Sequence, residues 1–376
     1  MRRFGAAILA VALLAPLSTG AQVEVITVSK VGSQDEAAWH VFVDMVAPAK
    51  GAGHNVEYET WASDADLYSA TPHWPTPRDG KRLTRSLGGV ASRPHSILPQ
   101  MPAPGQCAKP LDGAAGNFPP DACIGEEVRH DRDTYDTLTQ NGLNTTKGLI
   151  AAYAAHKIVS LPFRATIVKA DWVPVGDIIK WQPAYKDAAA VRRAFYTNSA
   201  SLNGKSSEFA LVGVSVQSKT TPDWLWFTVE HRSNPGRCDI IGCHDAFGAR
   251  VANVAPAATP NSDYGACEKS PALLALFAGA HLSPVWNNYC LKGTQTRYVT
   301  PQGAPTKLGN SVVERMNHGV PIPQISCITC HAYAAFDKNG VPAAGILARP
   351  PLGRVDEKLL QGLARDDFVW GILSAK

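Results

Sequence analysis

The order of apolar and polar positions divides the chain into a helical opening, a patternless middle, a run of strands and a second helical stretch. Over 33–47, Trp39, Phe42, Val43 and Val46 recur at helical spacing, Ser33 and Glu36 form a capping box, and Pro48 marks the end. Gly51 and Gly53 then break the chain, and 56–61 alternates as a strand would, with Glu57, Glu59 and Trp61 on one side. From 71 to 120, proline, glycine and basic residues dominate without a sustained period, which predicts a long irregular excursion. Helices are predicted again over 125–140 and 146–158, with Gly142 between them.

Beyond Leu161 the period shortens to two, and strands are predicted over 164–173, 193–198, 209–217 and 224–231, with Asn203-Gly204 as a hairpin tip. The last strand sorts into two faces: Trp224, Trp226, Thr228 and Glu230 on one, Leu225, Phe227, Val229 and His231 on the other. Both faces carry apolar residues, so this strand belongs in the middle of its sheet. A helix follows over 271–281, and a second, short one runs to Arg315. The fold class expected is therefore α+β, with an antiparallel-rich sheet and a mostly helical C-terminal segment. Three parts are expected: 1–21, a removable leader; 22–305, a disulfide-bonded α+β region; and 306–376, packed on it.

The leader changes the chemistry to be considered. Arg2 and Arg3 precede an apolar run from Phe4 to Leu17, and Thr19 and Ala21 are placed for cleavage. That run is shorter than the roughly 20 residues of a membrane span, so an exported chain, periplasmic or secreted, is expected, with no transmembrane segment after cleavage. The formal charge of +4 falls by two with Arg2 and Arg3, and no basic run interleaves with aromatics, which excludes nucleic acid as an expected partner.

Eight cysteines are present. Two of them lie in Cys327-Ile328-Thr329-Cys330-His331, where thiols two residues apart add to the two vinyl groups of one haem and the adjacent histidine ligates the iron. Haem c is thus the expected cofactor, attached through Cys327 and Cys330, with His331 on the proximal side. A zinc site would want a second ligand pair, and a thioredoxin-like pair would want a preceding strand. The six other cysteines suggest three local disulfides: Cys107 with Cys123, Cys238 with Cys243, and Cys267 with Cys290.

Two further groups are candidates. Met316 and His318, with the more distant Met45 and Met101, are possible sixth ligands of the iron. Glu230, His231, Arg237 and His244 cluster in sequence at a strand end and a cysteine-cinched turn. They either line the open side of the haem, or belong to a stapled corner in which Arg237 pairs with Asp239 or Asp245.

In outline the last 70 or so residues resemble a class I cytochrome c domain. The attachment motif precedes Pro350-Pro351-Leu352-Gly353 and a helical run expected from Asp356 to Leu373. The resemblance implies a proline carbonyl that receives the Nδ1 proton of His331 and a packing C-terminal helix. Such a domain takes its second axial ligand from a methionine after the attachment site, and here none lies beyond Met316. Across the chain, Glu59-Thr60-Trp61-Ala62-Ser63, 227–231, 234–239, 308–311 and the attachment motif also resemble exported bacterial proteins of the cytochrome c family. The resemblance implies haem binding and export. The extra length before the motif points to an oxidoreductase acting near the haem on a small molecule. An electron carrier serving a redox partner protein, or a haem-based ligand-binding or sensing module, is the alternative.

Overall fold

Ser33 starts α1 (Gln34–Val46), its hydroxyl accepting a hydrogen bond from the Glu36 amide at 3.1 Å. The computed structural model describes residues 32–76, 85–86, 125–202, 205–259, 261–312, 324–348 and 351–376. The expected leader, hairpin tip at Asn203-Gly204 and short helix before Arg315, together with Cys107, Cys123, Met101, Met316 and His318, lie outside the described residues.

The predicted α+β class holds. An eight-stranded sheet is built from β1 (Ala62–Ser63), β2 (Arg85–Ser86), β3 (Gly125–His130), β4 (Thr166–Pro174), β5 (Thr197–Leu202), β6 (Lys205–Ser218), β7 (Leu225–His231) and, later in the chain, β10 (Tyr289–Gln295). Every pairing in it is antiparallel except β2 with β5. The long β6 carries β4 on one edge and, in succession, β5 and β7 on the other. β7 is flanked by β6 and β10, so it is central, as its two apolar faces require. Small ladders join β8 (Cys243–His244) to β9 (Asn253–Val254) and β11 (Ala335–Phe336) to β12 (Ala364–Arg365).

One face of the sheet packs Leu225, Phe227 and Val229 of β7 against Trp39, Phe42 and Val46 of α1 and Leu273 and Phe277 of α7 (Pro271–Gly279). The opposite face holds Trp224 and Trp226 against Leu308, Ile328, Phe336 and Val369 of the C-terminal segment. An extra residue in β6, Val212, shifts the register so that Asp171 faces Gly213 while Trp172 faces Leu211. That shift turns Gly213 toward the C-terminal segment, where a Cβ would come within 2.9 Å of Asn310 Nδ2.

The structure departs from the sequence pattern in four places. Residues 57–60 form a 3-10 turn instead of a strand, because Glu59 turns inward and accepts from Val56 N at 3.0 Å, from Asn198 Nδ2 at 3.0 Å and from the Tyr196 hydroxyl. The stretch 125–140 divides into β3 and α3 (Arg132–Gln140), with Asp131 capping the helix. Its strand half carries buried charges, Arg129 on Glu127 at 3.0 Å and Glu127 under the Trp172 indole at 3.1 Å, which disguise its alternation. Residues 188–194 are helical, and the strand begins only at Thr197. The apolar run from Asp356 to Leu373 forms 3-10 turns at Glu357–Leu360 and Trp370–Ser374 with β12 between them. Gly362, Asp367 and Phe368 all have positive φ, which no helix accommodates, so the packing C-terminal helix implied by the cytochrome resemblance is absent there.

Candidate functional site

The attachment motif forms a short helix, α8 (Cys327–Ala332), in which Ile328, Thr329 and Ala332 are buried while Cys327, Cys330 and His331 stay half-exposed. Spacings of three and four put those three side chains on one helical face. The helix is held by four partners, two on its backbone and two on its side chains. Gln295, at the end of β10, accepts from Ile328 N at 3.0 Å and donates to Ser326 Oγ at 2.8 Å. Trp370 Nε1 donates to the Cys330 carbonyl at 3.0 Å, and the Cys327 thiol donates to the Leu308 carbonyl at 3.2 Å. The Thr329 hydroxyl donates to the Gly353 carbonyl at 2.7 Å, so Gly353 receives the threonine and not the histidine; Pro350 lies outside the described residues.

The Nδ1–H of His331 instead donates to the Phe368 carbonyl at 2.9 Å, which corrects the expected proline acceptor. That bond fixes the tautomer and leaves the lone pair on Nε2. Burial pushes the imidazole down to about 4 against the raising effect of the Phe368 carbonyl, so it is neutral at physiological pH, the form a metal takes. The Trp226 ring lies 4.7 Å from the His331 ring.

Phe368 presents its carbonyl from a left-handed backbone, and so does Asp367 before it, with φ of 68° and 44°. Two successive non-glycine residues in that region are costly, by roughly 1–2 kcal/mol each. Asp367 holds them there. Its carboxylate accepts from Leu161 N at 2.6 Å, from Trp224 Nε1 at 3.2 Å and from the Lys219 ammonium.

Side chains two apart on β7 line up along the C-terminal segment. Trp226 meets His331, Thr228 Oγ1 accepts from Asn310 Nδ2 at 2.7 Å, and Glu230 accepts from the Ser311 amide at 2.8 Å and from its hydroxyl. Glu230 also pairs with Lys292 Nζ at 3.4 Å, both side chains fully buried, and accepts from Asn234 Nδ2 at 3.3 Å. Its carboxylate is committed to holding Leu308-Gly309-Asn310-Ser311 on the sheet.

The four residues that cluster in sequence do not form one group: no hydrogen bond joins Glu230, His231, Arg237 and His244 to one another. His231 is on the other face of β7, stacked on Phe195 at 3.5 Å, donating from Nε2 to the Ala194 carbonyl at 3.0 Å and accepting at Nδ1 from Ser233 N. Arg237 lies against the Cys238–Cys243 disulfide, 3.4 Å and 3.8 Å from its sulfurs, and not on an aspartate. Asp239 takes the Tyr264 hydroxyl, and Asp245 takes Trp39 Nε1. His244 is exposed between Asn253 Oδ1 at 2.7 Å and Asp35 at 3.4 Å. Met45 packs in the α1 core, across the sheet from His331. The Cys238–Cys243 and Cys267–Cys290 disulfides form as expected.

His231 gives a pH signature. Burial pushes it down to about 3, below the roughly 6.5 of an unfolded histidine. A depressed histidine stabilises the fold fully above pH 6.5 and loses that contribution as pH falls toward 3, where the unfolded chain takes up a proton that the native one refuses. The stability difference between wild type and His231→Gln, from urea melts, is expected to shrink steadily over that window. A difference constant with pH would refute it.

A cleft of about 360 Å³ is lined among others by Cys243, His244, Lys292, Thr294, Lys307 and Leu308, and meets α8 through Leu308. Leu308 belongs to both places, since its carbonyl takes the Cys327 thiol. Sequence reasoning reached His244 but missed Lys292, Gln295, Asp367 and Phe368, whose roles come from distant pairings. Trp226 was placed on the correct face by its period-two position. Among the described residues, no three His, Cys, Asp or Glu side chains converge to hold a metal ion, and no helix is long and apolar enough to cross a membrane. Comparison with protein-family models, curated proteins and solved structures finds no match to this chain.

Proposed function

We propose that this chain is an exported single-haem c-type cytochrome, of the cytochrome c family it resembles in sequence, and that it acts as an oxidoreductase on a small molecule near the haem. One observation carries the haem reading. Cys327, Cys330 and His331 share the less buried face of a helix, and the histidine is held through Nδ1 by the Phe368 carbonyl, so that Nε2 carries the lone pair.

In this reading Cys327 and Cys330 form the two thioethers and His331 ligates the iron, and the haem supplies a reversible one-electron couple. The chain's own residues then do three things. Phe368, locked by Asp367, orients the ligand ring and raises its basicity. Trp226 walls off one side of that ring from water. Gln295 and Trp370 hold the helix ends against rotation.

The cleft supports the small-molecule reading, since Lys292, Lys307, Thr294 and His244 line it together with Leu308, whose carbonyl takes the Cys327 thiol. The electron-carrier reading draws on a different contact, the Trp226 ring against His331, which leads from the ligand into the sheet. An oxidoreductase with an open iron position gives a high-spin ferric spectrum and rapid carbon monoxide uptake by the reduced protein. A low-spin spectrum without uptake assigns the carrier role instead.

A further inference from the structure

Arg237 is buried, 2% exposed, and its Nε has no hydrogen-bond partner. Its other nitrogens go to the Gly265 carbonyl at 3.3 Å and to the two sulfurs of Cys238–Cys243 at 3.4 Å and 3.8 Å, and its guanidinium lies 5.9 Å from the Tyr264 ring. Among the described residues no carboxylate hydrogen-bonds it; Glu230 and Asp263 act on it only through space. A buried guanidinium without a bonded anion is costly, and neutral disulfide sulfurs compensate it poorly. A thiolate at the same place would compensate it well.

The two halves of the disulfide are unequally placed. Cys238 is fully buried, whereas Cys243 is 9% exposed and lines the cleft. The bridge spans a sequence separation of only 5, so opening it returns little chain entropy to the unfolded state. Cys267–Cys290 differs. Lys269 Nζ lies 2.8 Å from Cys267 Sγ, but that bridge spans 23 residues and its Cys290 is buried in β10, so opening it loosens the core.

We propose that Cys238–Cys243 is a redox-active disulfide, opened from the cleft by a dithiol reductant and stabilised in its reduced state by Arg237. The external thiolate attacks Cys243 Sγ, the Cys238–Cys243 bond breaks, and Cys238 departs as a thiolate beside the guanidinium. The reductant's second thiolate then attacks its own sulfur in the mixed disulfide. Cys243 is released and takes a proton from water, and the reductant leaves oxidised by two electrons. The proposal stands without the haem reading, because neither Cys327 nor Cys330 takes part.

The test equilibrates the full-length mature protein in dithiothreitol buffers of graded reduced-to-oxidised ratio, followed by alkylation and peptide mass mapping that resolves each bridge. Cys238–Cys243 is expected to open while Cys267–Cys290 stays closed and the circular dichroism spectrum is unchanged. Arg237→Met is expected to shift the equilibrium toward the disulfide by about tenfold, one pKa unit of lost thiolate stabilisation, and Arg237→Lys to recover part of it. Should both bridges open only together with unfolding, or should a folded Arg237→Met reduce at the same ratio as wild type, the proposal fails. If Arg237→Met does not fold, Arg237→Lys against wild type decides, since an unchanged ratio together with simultaneous opening of both bridges overturns it.

Discussion

Glu230→Leu is expected to lower the free energy of unfolding by about 3–5 kcal/mol, the usual cost of stranding one partner of a buried ion pair. Lys292 would remain fully buried with no carboxylate opposite, and the Ser311 amide and hydroxyl would lose their acceptor. Glu230→Gln should cost less, because an amide oxygen still accepts from Ser311. The diagnostic variant is the double one. Lys292→Met in the Glu230→Leu background removes the stranded charge and should recover stability relative to Glu230→Leu alone, a coupling that urea melts read directly. An acid-base role for Glu230 at the iron predicts the opposite pattern, with stability kept and turnover lost. Equal stability of Glu230→Leu and wild type would remove the structural role assigned to this carboxylate.

Asp367→Ala should be nearly as damaging, at about 3 kcal/mol, because it leaves Lys219, Trp224 Nε1 and the Leu161 amide without their shared acceptor. Its second consequence is specific. Without that anchor the left-handed pair at 367 and 368 relaxes, the Phe368 carbonyl moves off His331 Nδ1, and the ring loses its fixed orientation. Asp367→Asn keeps one acceptor oxygen and should fall between wild type and alanine in both stability and covalent haem content. A stable Asp367→Ala protein with full haem content would show that the ligand is oriented by something else.

Both predictions rest on contacts that local pattern does not carry. The two faces of β7 were legible, since alternation of Trp226, Thr228 and Glu230 with Phe227, Val229 and His231 needs only the strand period. The helices α1 and α7 were legible too, α1 by its spacing and its Ser33 cap, α7 by its apolar density, whereas the Ser270 cap of α7 was not read. Two kinds of residue defeated the reading. Charged side chains that face inward, such as Glu127, Arg129 and Glu59, look like solvent-facing positions until their partners are known. The run after Asp356 has helical density of apolar residues, but Leu359 is 49% exposed and the backbone at 367–368 is left-handed, so density did not mean one buried stripe.

At the site, Cys327, Cys330 and His331 stood out because they fall within five consecutive residues. What holds them was not. Gln295 lies 33 residues before the amide it caps, and Phe368 lies 37 residues after the histidine it orients. The clustering of Glu230, His231 and Arg237 in sequence was misleading for a geometric reason, since neighbours on a strand point to opposite faces. Glu230 faces the C-terminal segment, His231 faces Phe195, and Arg237 has turned away to the disulfide.

The central claim is that Cys327, Cys330 and His331 hold one haem covalently. It is tested most directly by intact mass and pyridine haemochrome spectra of the mature protein, made in a host that exports it and attaches haem in the same compartment. Wild type is predicted to carry the mass of one haem, retained after acid–acetone extraction, and Cys327→Ala with Cys330→Ala to carry none. A wild-type chain that emerges at its polypeptide mass, with no haemochrome, while a known c-type cytochrome made alongside it is fully loaded, would contradict the account.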